Sequence, residues 1–148
     1  MQRHSPLMTL RGLAQDAAKK AAVQLAQIRQ SHQQMEQQLA ALMDYQDEYR
    51  TRLNTTLSGG MSSSMWQNYQ QFMKTLEMAI EQHKLQLNQW KKRLEQAISQ
   101  WQEKQQRLNA FDTLQQRAAH NLKLHQNRME QKQMDEYAQR GAQRRMKQ

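Results

Sequence analysis

The sequence contains no cysteine, one proline and only four glycines among its 148 residues. Without cysteine there are no disulfides and no thiolate chemistry, which fits a reducing compartment. So few turn-forming residues leave little room for loops. Hydrophobic residues make up only 37% of the chain, which is too little apolar material for a core of several packed layers.

Long apolar runs are missing as well. The first twelve residues contain no stretch like the apolar region of a secretory signal. No segment approaches the ~20 apolar residues that cross a bilayer. These absences predict a soluble, cytoplasmic protein.

What the sequence does contain is helix formers and positive charge. Glutamine alone accounts for 29 residues, and most of the rest are Ala, Leu, Lys, Arg and Glu. The formal net charge is +9, a balance that suits an acidic protein surface, an anionic lipid headgroup or nucleic acid.

Apolar residues recur every seven positions in two long segments, in pairs spaced alternately three and four apart. The first seam runs through Leu7, Ala14, Ala21, Ile28, Met35, Leu42, Tyr49 and Thr56, with Arg11, Ala18, Leu25, His32, Leu39, Gln46 and Leu53 between them. The second runs through Trp66, Met73, Ile80, Leu87, Leu94, Trp101, Leu108, Gln115, Leu122 and Met129, with Tyr69, Leu76, His83, Trp90, Ala97, Lys104, Phe111, Ala118 and His125 between them. This spacing predicts a left-handed coiled coil.

The helical pattern breaks at residues 58–64, which read Ser-Gly-Gly-Met-Ser-Ser-Ser. Gly59-Gly60 tolerates the positive φ that ends a helix, and Ser64 with Gln67 is a capping box for the next one. At the front, Ser5-Pro6 is a cap and first-turn pair. We therefore predict a first helix over about 6–57, a turn over 58–63, a second helix over about 64–140, and a basic tail to 148.

A short turn between two such helices folds them back on each other. Pairing about the glycines places Tyr49 opposite Met73, Ala21 opposite Trp101 and Ala14 opposite Leu108, so small residues meet large ones. The predicted fold class is all-α: a single domain, 1–148, forming a long antiparallel two-helix coiled coil. The first helix ends opposite residue 116, which leaves residues 116–148 as a C-terminal helical overhang.

Charge is segregated along the chain. Residues 36–81, around the turn, hold six acidic and three basic side chains, whereas the overhang holds eight basic and three acidic. The overhang could be a solvated helix face or an electrostatic handle for an acidic protein or nucleic acid. Tyr137 is its one aromatic residue, which argues against base stacking and leaves a nucleic-acid-binding or other scaffolding coiled coil as the alternative function.

Nothing in the sequence has the spacing of a catalytic, cofactor or metal site. His120 and His125 lie five apart, a poor helical spacing for a shared metal, and His32 and His83 fit polar positions in a coiled-coil seam. Paired carboxylates need a cleft to act as acid and base, and a two-helix rod has none. We therefore predict that the protein is not an enzyme.

The strongest functional signal is a surplus of aromatic and apolar residues beside the turn. These residues are Tyr45, Tyr49, Phe72, Leu76, Ala79 and His83, hereafter the tip patch. On the second helix they follow an i, i+4, i+7, i+11 stripe. The stripe is either a locally wider seam or a protein-docking surface, since aromatic residues are enriched where partners bind.

Three stretches give the sequence a family resemblance: DYQDEYR at 44–50, NYQQFMKTLEMAIEQHKLQLNQW at 68–90 and NRMEQKQMDEYAQR at 127–140. With the two-helix layout, they resemble the FliJ family, a small cytoplasmic component of the bacterial flagellar type III protein export apparatus. The resemblance covers nearly the whole chain.

The resemblance implies partners. Members of the family bind the hexameric export ATPase much as a central stalk sits in a rotary ATPase. They also bind the cytoplasmic domain of the export gate and handle empty export chaperones. It implies that the gate-contacting residues are those of the tip patch, that the terminal segments enter the ATPase ring, and that the protein works at the cytoplasmic face of the inner membrane without inserting into it.

Overall fold

The computed structural model describes residues 5–146, which form two α-helices, α1 (Pro6–Ser58) and α2 (Ser63–Met146). The helices pack against each other as a hairpin, and no strand occurs in this part of the chain. The predicted all-α hairpin is therefore confirmed.

The chain divides into two compact units. One is Lys19–Glu103, which contains the turn; the other joins the segment up to Ala18 to the segment from Lys104 onward. That residues 1–148 form one domain stays a prediction.

The start of α1 follows the predicted cap. The Met8 amide donates to the Ser5 hydroxyl oxygen at 3.2 Å, and the Thr9 amide donates to the Ser5 carbonyl oxygen at 3.2 Å. Pro6 occupies the first helical position, where its missing amide hydrogen costs nothing and its fixed φ suits the helix.

The turn is tighter than predicted, because only four residues separate Ser58 from Ser63. Gly60 has a φ of +86°, while Gly59 is not in the left-handed region. The prediction that Ser64 caps α2 is wrong. The cap is Ser62, whose hydroxyl oxygen accepts from the Met65 amide at 3.3 Å. The shorter turn moves the start of α2 forward and places Ser64 inside the first helical turn.

Every buried hydrophobic residue in the described part of the chain lies on a predicted seam position. In the unit that contains the turn they are Leu25, Leu76, Ile80 and Ala97; in the other unit they are Ala14 and Ala18. The three alanines allow the backbones to approach closely, as the small-against-large pairing predicts.

Two contacts report the register. In the unit that contains the turn, the Tyr49 ring lies 4.6 Å from the Phe72 ring, one position from the predicted partner Met73. In the other unit, Arg11 forms an ion pair with Asp112, next to the seam residue Phe111. A polar seam position is thus satisfied across the helix interface.

The second helix runs through Met146, beyond the predicted end near residue 140. The helix continues past Gly141. The positive charges of Arg144 and Arg145 in the last turn interact favourably with the negative end of the helix dipole. Within the overhang, every residue from 116 to 140 is exposed. Neither helix, over its described length, has a stretch apolar enough to cross a membrane.

Candidate functional site

Five aromatic side chains meet beside the turn and form one continuous cluster. They are Tyr45, Tyr49, Trp66, Tyr69 and Phe72, hereafter the aromatic cluster. Tyr49 is central: its ring stacks on Tyr69 at 4.7 Å with 6° between the planes and lies 4.6 Å from the Phe72 ring. Such ring pairs contribute ~0.5–1.5 kcal/mol each beyond the area they bury, so the cluster stiffens this end of the hairpin.

A hydrogen bond fixes the cluster across the helix interface. The Tyr69 hydroxyl donates to the Tyr49 carbonyl oxygen at 3.1 Å. Burial, and next the neighbouring Tyr49 phenol, raise the pKa of Tyr69 above its usual 10.0, while the Arg50 charge acts in the opposite direction. The hydroxyl therefore keeps its proton, and with it the bond, over the physiological pH range.

The tip patch divides into exposed and buried members. Tyr45 is 43% exposed and Phe72 is 38% exposed, and their rings meet edge to face at 6.3 Å. Leu76 is only 6% exposed, because it packs in the seam between the helices. The rings of Tyr45 and Phe72 are thus partly exposed to solvent, whereas Leu76 belongs to the core.

The remaining two members of the patch, Ala79 and His83, are half-buried and lie one turn apart on α2. The His83 Nδ1 atom lies 3.0 Å from the Ala79 carbonyl oxygen, so the imidazole is held against its own helix. That the six residues of the patch bind a partner stays a prediction.

Sequence analysis placed Trp66 and Tyr69 in the seam and did not predict their part in the cluster. The signal was present, because Trp66, Tyr69 and Phe72 follow each other at intervals of three on one helix face. The spacing was overlooked because Trp66 and Tyr69 also fit the heptad positions of the seam.

The structure also reveals a pocket that the sequence did not suggest. This open concavity of about 510 Å³, hereafter the tip pocket, lies where the turn passes over the helix ends. Its lining consists of Tyr49, Arg52, Leu53, Thr56, Met61, Met65, Asn68, Tyr69 and Phe72. Arg52 is the one charged residue in that lining.

Other titratable groups within residues 5–146 form separate ion pairs. His32 pairs with Glu36 one turn away on α1, at 3.0 Å from Nδ1 to Oε1, and Arg50 pairs with Glu77 at 3.9 Å. Asp44, Asp47 and Glu48 are exposed. Across residues 5–146, no group of three or more His, Cys, Asp or Glu side chains is placed to hold a metal ion.

The overhang presents a second candidate surface. Its exposed large apolar side chains are Leu122, Leu124, Met129, Met134, Tyr137 and Met146, and Tyr137 reaches 81% exposure. The basic residues Lys123, Arg128 and Lys132 lie among them in the sequence. An exposed amphipathic helix of this kind gains stability when it docks on a partner.

Comparisons with known proteins find relatives over nearly the whole chain. Residues 2–147 match the family model described as flagellar FliJ protein. The chain is 51% identical over 144 residues to the flagellar FliJ protein of Salmonella typhi, covering 97% of this chain and 98% of that relative. It is 49% identical over 144 residues to the flagellar FliJ protein of Escherichia coli K12, with the same coverage.

Proposed function

The chain belongs to the flagellar FliJ protein family, and we propose that it is a non-enzymatic adaptor and stalk of the flagellar type III export apparatus. The family relationship supports a role in flagellar protein export. The proposed partners are the hexameric export ATPase, the cytoplasmic domain of the export gate and the export chaperones, which the chain meets in the cytoplasm, at the inner face of the membrane.

The observation that carries the proposal is the uncovered overhang. Residues 116–140 contain no buried or half-buried side chain, although they include large apolar residues such as Leu122, Met129 and Tyr137. A helix with this much exposed apolar surface and excess positive charge is suited to an enclosing, acidic protein surface. We assign this segment to the ATPase ring.

The tip patch is the proposed contact with the export gate. Tyr45 and Phe72 offer exposed aromatic surface, and aromatic residues dominate the binding energy of many protein interfaces. Their edge-to-face contact and the stacked Tyr49 ring hold them in place before a partner arrives, which lowers the entropic cost of binding.

A pull-down with matched surface variants tests the ATPase assignment. The full chain, used as bait in an extract of flagellated cells treated with nuclease, retains the hexameric export ATPase, identified by mass spectrometry. The triple variant Leu122→Ser, Met129→Ser, Tyr137→Ser loses it, while Leu85→Ser, at an exposed apolar position outside the overhang, retains it.

All four positions are exposed, so the variants should keep the helical circular dichroism of the wild type. Retention of the ATPase by the triple variant would rule out Leu122, Met129 and Tyr137 as the contact. Failure of the wild-type chain to retain any export component, together with recovery of nucleic acid from an untreated extract, would overturn the adaptor function in favour of a basic nucleic-acid-binding coiled coil.

A further inference from the structure

We propose that the tip pocket is a recognition site for an acidic peptide segment of a partner protein, in which an apolar side chain fills the pocket and a neighbouring carboxylate pairs with Arg52. This site would add to the proposed docking role of the tip, and it rests on that role because the ligand is taken to be a segment of a partner protein. Of the lining residues, only Tyr49 and Phe72 belong to the tip patch.

The walls of the pocket select for an apolar group. Leu53 from α1, Met61 from the turn and Met65 from α2 line it together with Tyr69 and Phe72. Its volume of about 510 Å³ lies within the range of sites that bind small ligands or anchoring side chains. Methionine is unbranched and polarisable, so these walls can adapt to Leu, Met or Phe from a partner.

The charge on the rim selects for a carboxylate. Arg52 forms no ion pair with any residue in the range 5–146, whereas its neighbour Arg50 is paired with Glu77. Arg52 is exposed and lies in the pocket lining, so its guanidinium is available to a ligand that fills the pocket. A ligand carboxylate at this point gains charge-assisted hydrogen bonds, whereas a lysine meets a like charge, so the carboxylate ligand binds more tightly.

The distribution of charge along the chain distinguishes specific binding at the tip pocket from general electrostatic attraction. The net charge of +9 would draw any acidic peptide to the protein, but the basic excess lies in the overhang and the N-terminal thirty residues, while residues 36–81 are net negative. An acidic peptide that prefers the tip pocket must therefore be recognised by Arg52 and the apolar walls, not by the average charge of the chain.

The test uses the full-length protein with its methionine methyl groups labelled for NMR. One probe is a peptide in which leucines alternate with glutamates; the matched probe has lysine in place of each glutamate. The glutamate peptide shifts the Met61 and Met65 methyl resonances at concentrations about tenfold lower than the lysine peptide does. Met134, exposed in the overhang, reports binding elsewhere.

Variants then tie the preference to the pocket. Arg52→Gln abolishes the discrimination between the peptides, and Arg52→Glu inverts it in favour of the lysine peptide. Met65→Ser weakens the binding of both peptides, because Met65 lines the pocket. Met78→Ser is the matched control and changes the binding of neither peptide, because Met78 lies outside the pocket; the two methionines are 54% and 66% exposed. These side chains are exposed, so the variants should fold; far-UV circular dichroism checks this.

Three results would overturn the proposal: no shift of Met61 and Met65 with either peptide, equal shifts with both, or an unchanged preference in Arg52→Glu. Since the assay contains no export component, its outcome is independent of the pull-down. A positive peptide result with no retained ATPase or gate would leave the pocket assigned and reject the export role. The opposite pair of results would reject the pocket alone.

Discussion

The hydroxyl of Tyr69 on α2 is bound to the main-chain carbonyl oxygen of Tyr49 on α1, at 3.1 Å, while the two rings stack in nearly parallel planes. One residue thus joins the two helices by a polar and an aromatic contact at the same point. The bond is the cross-helix hydrogen bond nearest the turn in the described chain.

We expect Tyr69→Phe to keep the ring stack and lose the hydrogen bond, lowering the free energy of unfolding by about 1 kcal/mol. Urea denaturation followed by circular dichroism measures the change. Tyr69→Ala, which removes the stack as well, should cost more. Equal stability of the wild type and Tyr69→Phe would show that water replaces the bond without loss.

The same variant has a pH signature. Because folding raises the pKa of Tyr69 above 10.0, the folded state favours the protonated phenol. Its contribution is complete below the unfolded pKa and is lost as pH rises through the folded pKa. The wild type should therefore lose its advantage over Tyr69→Phe above about pH 10. A difference between the two that is constant across this range would contradict the assigned burial of the phenol.

The core of the hairpin could be predicted from the sequence because burial repeats with the heptad. Ala14, Leu25, Leu76 and Ile80 are buried at positions that periodicity alone identifies. The register followed from the position of the glycines, and the Arg11–Asp112 pair lies within one position of it.

The local details at the turn could not be predicted in the same way. Ser62, Ser63 and Ser64 can each cap a helix, and the choice depends on how many residues the turn consumes. The tip pocket depends on where Met61 lies as the chain crosses between the helices, and periodicity carries no information about a residue outside the helices. The hydrogen bond of Tyr69 similarly depends on a side-chain rotamer.

Burial also separates two residues that sequence analysis placed in one patch. Leu76→Ala should lower the free energy of unfolding by about 2–4 kcal/mol, because Leu76 is buried and its truncation leaves a cavity. Phe72→Ala should cost less, about 1–2 kcal/mol, since Phe72 is 38% exposed and loses mainly its ring contacts with Tyr45 and Tyr49. Thermal unfolding of both variants measures the difference.

This separation decides how the proposed gate contact is tested. A change at Leu76 alters the hairpin itself, so weak gate binding by Leu76→Ala would not identify a contact. Tyr45 and Phe72 are partly exposed, so Tyr45→Ser and Phe72→Ser are the more informative variants once circular dichroism shows that they fold. Strong gate binding by the folded Tyr45→Ser, Phe72→Ser double variant would exclude the tip patch as the contact.

The two glycines of the turn have different structural requirements. Gly60 has a φ of +86°, where a Cβ atom is strained whatever the surrounding space, although nothing in the described structure lies within 4 Å of the Cβ position. Gly59 has an ordinary φ, and an added Cβ would meet the Thr56 carbonyl oxygen at 3.6 Å, a normal van der Waals contact. The sequence presents the pair as equivalent, and only the backbone distinguishes them.

We therefore expect Gly60→Ala to destabilise the hairpin by about 1–2 kcal/mol through backbone strain, while Gly59→Ala stays within about 0.5 kcal/mol of the wild type. Gly60→Asn is the matched control, because asparagine tolerates the left-handed region better than alanine and should recover part of the loss. Denaturant titration of the three variants orders them. If Gly60→Ala proved as stable as Gly59→Ala, the positive φ at residue 60 would not be what reverses the chain, and the turn would have to be held instead by the caps at its two ends.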